Sequence, residues 1–272
     1  NMKTFKIFNA TELWQRETSL PAVASFSQSL DNMLGTDGVQ LGSITELLGL
    51  PGAGKTQLCL QLCASVQIPK DLGGLNAEAL YIDTNTNFTL YRFREILSAS
   101  LLRCQNILDE PLQITEDDAL NKLHYVNAFG LEKFCAFMYR LPKFIGERPN
   151  VSYSFIKYFP FIPGTTICRP YKYLFRAGIE PTTRSAEADR SATAPNVVLA
   201  NEMSTRVGLA GGAVVGSLGD AWAHRCNVRI LLSTPHATNR PSHRLALLLK
   251  SNVATSAVAR FQKFKEYFDI NY

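Results

Sequence analysis

Gly49-Leu50-Pro51-Gly52-Ala53-Gly54-Lys55-Thr56 constrains this chain more than any other stretch. Ser43 to Leu48, before it, is a short apolar run of strand character. After it, Leu58, Cys59, Leu62, Cys63 and Val66 recur at helical spacing. A strand that runs through a glycine-rich turn into a helix is the opening of an α/β unit, so the chain must go on to build a sheet with helices against it. The eight residues fit G-x-x-x-x-G-K-[ST], the P-loop. Glycines let the backbone curl until successive N–H groups converge on an anion, and the unpaired amides and dipole of the following helix add to that attraction. Lys55 offers an ammonium to β- and γ-phosphates, and Thr56 offers a hydroxyl to Mg2+. A chance glycine-rich turn would not need both a strand before it and an amphipathic helix after it. The motif therefore implies a bound nucleotide with Mg2+. Gly49, Leu50, Pro51, Gly52, Ala53, Gly54, Lys55, Thr56 and the adjoining Gln57 are the binding residues, and Thr56 is also the metal ligand.

Further strands are predicted over Glu78–Asp83, Lys122–Ala128, Asn196–Asn201, Asn227–Ser233 and Arg244–Lys250, with an edge over 258–262. Helices are predicted over Tyr91–Ile107 and Leu131–Phe144, and helix-like patches over Asn9–Glu17 and Ser25–Leu34. The alternation predicts an α/β fold with a mostly parallel central sheet. The late strands follow one another without long helices, so antiparallel pairs should close the C-terminal side. Ligands gather at the carboxyl ends of such strands, which is where Asp83, Thr84, Asn85 and Asn87 fall.

With 272 residues, 46% of them hydrophobic, the chain suits one large domain, with or without a short appendage. A net charge of +5 permits contact with nucleic acid without requiring it. No apolar run reaches the roughly 18 residues of a membrane span, and the first residues show no signal-peptide pattern. Cys59 and Cys63, four apart on one apolar stripe, read as core thiols rather than metal ligands. Residues 158–195 are dense in Pro, Gly, Thr, Ser and Arg and lack either period, so no order is expected there.

"SLDNMLGTDGVQLGSITELLGLPGAGKTQLCLQLCASVQIP", "GGLNAEALYIDTNTNF" and "VVLANEMSTRV…SLGDAWAHRCNVRILL" together resemble the RecA-type strand-exchange recombinases of eukaryotes, above all their C-type paralogues. The resemblance covers roughly residues 20–150 and 196–262 and implies a RecA-like P-loop core over 36–272. Residues 1–35 would then be the remnant of a linker to a small N-terminal domain that this sequence lacks. Arg92 matches the family arginine that stacks on adenine, although an ordinary solvated helix arginine beside Arg94 fits equally well. Gly208–Gly219 falls at the family's second DNA-binding loop, and a bland glycine-rich loop fits its composition as well. Trp222 and His224 match a Trp-x-His helix and read as a packing pair.

Three positions depart from the family pattern. A glutamate that orients the attacking water is replaced by Asn85, whose amide can bond a water but cannot take its proton. "VSYSFIKYFPF", Val151 to Phe161, stands where Walker B should be; it has no carboxylate, and Lys157 falls near the place of the aspartate. Glu202 replaces a glutamine that senses the γ-phosphate; ionised, it would repel phosphate unless it ligates Mg2+ or substitutes for the lost carboxylate. The irregular tract resembles translated mobile-element sequence. It is either an unusual natural segment or a wrongly joined exon, and the loss of an ordered core element favours the second.

The resemblance implies an ATP-binding recombinase paralogue in double-strand-break repair by homologous recombination, with weak or no hydrolysis and no catalytic residue assigned. Its partners would be other recombinase paralogues in a hetero-oligomer and single-stranded or junction DNA. Its location would be the nucleus, with the cytoplasm as a second compartment. Two alternatives stay open: an active DNA-dependent ATPase using Glu202, and a P-loop small-molecule kinase.

Overall fold

The computed structural model describes residues 7–108, 111–157, 196–205, 214–235 and 243–262. In chain order, these form α1 (Ala10–Thr18), β1 (Ala22–Val23), α2 (Gln28–Leu34), β2 (Val39–Gln40), β3 (Ile44–Leu48) and α3 (Lys55–Gln67). Next come β4 (Glu78–Asp83), α4 (Leu90–Ile107), α5 (Glu116–Asn121), β5 (Leu123–Asn127), α6 (Leu131–Glu147) and β6 (Val151–Lys157). The last group is β7 (Asn196–Asn201), β8 (Met203–Thr205), β9 (Val214–Gly216), α7 (Asp220–Arg225), β10 (Val228–Ser233), β11 (His243–Lys250) and β12 (Val258–Gln262). The irregular tract 158–195 lies outside the described residues.

Eight strands form one sheet in the order β12-β11-β10-β3-β7-β6-β4-β5. From β10 to β5 every pairing is parallel, while β10–β11 and β11–β12 are antiparallel. This is the mostly parallel sheet with an antiparallel C-terminal side that the strand spacing predicts. Alternate residues of each strand supply the two faces. Leu47, Ala79, Tyr81, Val198 and Ile230 join Leu58, Leu62 and Val66 of α3 and Phe93, Ile96 and Leu97 of α4 in one buried cluster. Ile44, Leu80, Ile82, Val197 and Leu199 face Phe134, Met138 and Leu141 of α6 and Trp222 of α7 in the other. Helices thus cover both faces of the sheet. No described helix is long and apolar enough to cross a membrane.

Leu30, Met33 and Leu34 of α2 are buried in the first cluster with Phe261 of β12, so the second helix-like patch packs on the sheet. Cys59 and Cys63 are fully buried in the same cluster. The proposed packing pair divides: Trp222 is buried, while His224 is exposed and its carbonyl accepts the Lys250 ammonium at 2.9 Å.

Candidate nucleotide site

Parallel pairing brings the carboxyl ends of β3, β7, β6 and β4 to one edge. Leu48 lies opposite Asn201, Lys157 opposite Ala200, and Ile156 opposite Ile82. The chain leaves β3 through Gly49 with φ 151°, where an added Cβ would lie 2.4 Å from the Leu232 carbonyl oxygen on β10. A side chain at 49 would therefore push the turn off the neighbouring strand. At Gly54, φ is 102° and nothing stands within 4 Å of an added Cβ, so the cradle is open where its backbone turns into α3. No side chain caps the start of α3.

Lys55 folds back onto the loop it follows. Its ammonium donates to the Gly49 carbonyl at 2.7 Å, to the Leu50 carbonyl at 3.2 Å and to Glu202 Oε2 at 3.2 Å, and the residue is only 6% exposed. A cavity of about 290 Å3 opens beside it, lined by Pro51, Gly52, Gly54, Lys55, Thr56, Gln57, Asn85, Asn87 and Glu202. An open amide cradle with a buried ammonium at its mouth fits a phosphate chain, and the Thr56 hydroxyl stands in the same wall.

The remaining residues predicted to bind, Gly49, Leu50, Ala53 and Arg92, do not line the cavity. Gly49 and Leu50 turn carbonyls toward Lys55, and Ala53 is packed into the core. Arg92 donates from Nε to Gln57 Oε1 at 2.7 Å and from Nη1 to Glu95 Oε2 at 2.7 Å. Its side chain is 21% exposed and held on its own helix by Glu95, while Arg94 binds Glu116.

Asp83 has a different place from its neighbours. It is fully buried, and its carboxylate accepts the main-chain N–H of Asn85 at 3.0 Å and of Phe88 at 2.9 Å. It therefore holds the turn 83–88 shut, with Thr86 at φ 54° inside it. Phe88 packs its ring 4.8 Å from Tyr125 and 5.0 Å from Tyr81. Burial and the Asp83 carboxylate push the Tyr125 phenol above its usual range. The closed turn directs Asn85 and Asn87 to the cavity.

A polar network supports Glu202 from below. Glu46 of β3, 1% exposed, accepts Asn201 Nδ2 at 2.6 Å and Arg229 Nε at 2.6 Å. The Ser217 hydroxyl lies 2.8 Å from Asn201 Oδ1 and 2.9 Å from the Glu202 carbonyl, which also accepts the Ser217 N–H at 2.9 Å. Met203–Thr205 pairs antiparallel with Val214–Gly216, so part of the segment read as a bare glycine-rich loop is a strand. Lys157 ends β6 on the same edge.

A P-loop between β3 and α3, on a parallel sheet that ends in antiparallel strands, defines a RecA-type core. The Rad51 family model matches residues 15–147. DNA repair protein RAD51 homolog 3 of Cricetulus griseus is 28% identical over 94% of this chain and 70% of its own length. Its namesake in Dictyostelium discoideum is 29% identical over 77% of this chain, which spans 56% of that protein. The DNA repair and recombination protein RadA of Metallosphaera sedula is 38% identical over 43% of this chain and 35% of its own length. The chain is thus similar to the Rad51 family of RecA-type recombinases over residues 15–147, and to the RAD51 homolog 3 proteins over most of its length.

Proposed function

We propose that this protein is a recombinase paralogue of homologous recombination that binds ATP with Mg2+ and hydrolyses it weakly or not at all. The observation that carries this reading is the buried Lys55 ammonium folded over an open amide cradle. The names of the relatives, DNA repair protein RAD51 homolog 3 and DNA repair and recombination protein RadA, support the repair role. Thr56 would meet the metal, and the Lys55 ammonium and loop amides would hold the phosphates. The cavity wall supports the restriction on hydrolysis. Asn85 and Asn87 present to the cavity amides that cannot take a proton, and the buried carboxylate of Asp83 is occupied with two amides of its own turn.

Held without turnover, ATP acts as a structural ligand. By linkage it stabilises whatever folded or assembled state binds it, by RT ln(1 + [L]/Kd). In this reading the assembled state is a hetero-oligomer with other recombinase paralogues on single-stranded or junction DNA, in the nucleus. Phosphate release, measured with and without single-stranded DNA, tests the proposal. Nucleotide binding with release near the uncatalysed rate is expected. DNA-stimulated release that disappears in Glu202→Gln would instead mark an active ATPase using Glu202.

A further inference from the structure

We infer that Glu202 makes the cavity select a nucleoside diphosphate over the corresponding triphosphate. This rests on the reading of the cavity as a nucleotide site and specifies which nucleotide it holds best. An ammonium has three N–H donors, and those of Lys55 face three acceptors: the Gly49 carbonyl, the Leu50 carbonyl and Glu202 Oε2. The two carbonyls belong to the loop backbone and stay with it. Glu202 is the only acceptor that ends a side chain and the only one that carries charge. Its carboxylate therefore already stands against the ammonium as an internal anion.

The root of that side chain is fixed. The Glu202 carbonyl accepts the Ser217 N–H at 2.9 Å, and the adjoining Asn201 is held by Glu46 at 2.6 Å. The carboxylate, 39% exposed, can turn aside but stays tethered in the cavity wall. Among the residues that line the cavity, Lys55 and Glu202 are the two that carry charge, and they cancel. An incoming phosphate chain thus meets a wall with no net positive charge. Mg2+ accompanies either nucleotide, so the third phosphate still adds net negative charge beside the carboxylate. At contact range, even with screening by solvent, a like-charge neighbour of this kind is worth about tenfold in affinity. An amide of the same shape has no such charge.

The test is direct titration of the purified chain with ADP and with ATP, both in the presence of Mg2+, by calorimetry. The wild type is expected to bind ADP about tenfold more tightly than ATP. Glu202→Gln is expected to tighten ATP more than ADP, and so to bring the two affinities together. The wild-type ratio needs no variant, so a folding defect in the substitution cannot hide the answer. ATP bound as tightly as ADP, or more tightly because Glu202 takes up the metal, would overturn the inference and leave the nucleotide site standing. An ATP-to-ADP ratio that Glu202→Gln does not move would do the same. If neither nucleotide binds, the nucleotide-site reading fails and the inference with it.

Discussion

Asn201 donates its side-chain amide to Glu46 at 2.6 Å, tying the strand that leads into the P-loop to the strand that ends just before Glu202. Glu46 also takes the Arg229 guanidinium of the next strand at 2.6 Å, so one buried carboxylate joins three neighbouring strands just below the cavity. Glu46→Ala should cost about 3 kcal/mol, because it leaves a guanidinium and an amide without their acceptor. Urea unfolding would show the loss as a lower midpoint. Exchanging Glu46 and Arg229 together for apolar residues of similar volume should recover part of it.

Asp83 is the second buried carboxylate of the site, and its work is local. Asp83→Ala frees the amides of Asn85 and Phe88 and should destabilise the protein by about 2 kcal/mol. Nucleotide affinity should fall as well, since Asn85 and Asn87 reach the cavity through that turn. Asp83→Asn keeps an acceptor and should lose less on both measures.

The sequence made the strands that bound the site legible. Glu78–Asp83 and Asn196–Asn201 appear as predicted because an apolar run buried on both faces admits few other conformations. The helix Glu116–Asn121 escaped that reading even though Thr115 and Asp118 form a capping box, a signal present in the sequence. The pairing of Val214–Gly216 was hidden by the glycines around it. Asp83 was expected to look toward the phosphates with its neighbours; that it turns inward depends on amides two and five residues ahead, which composition does not reveal. The contact between Lys55 and Glu202 joins residues 147 apart, and only the sheet order brings them together.

Asp31 gives a pH signature far from the site. Burial raises its carboxyl from an ordinary 3.8 to about 6, against two hydrogen bonds from the Ser25 amide that favour the charged form. Below 3.8 the residue is protonated in both states. Between 3.8 and about 6 the unfolded chain ionises first, so folding loses free energy as pH rises. Above 6 the full cost, about 3 kcal/mol, is in place. Relative to Asp31→Asn, the wild type should lose stability between pH 4 and pH 7; equal slopes in paired urea titrations would contradict this.

The central claim is that the loop from Gly49 to Thr56 grips a nucleotide through its amides and the Lys55 ammonium. Calorimetric titration of the wild type and Lys55→Ala with Mg2+–ADP and Mg2+–ATP tests it most directly. Saturable binding by the wild type, weakened at least about tenfold by the substitution, is the predicted result. Absence of binding in the wild type, or equal affinity in Lys55→Ala, would contradict the account.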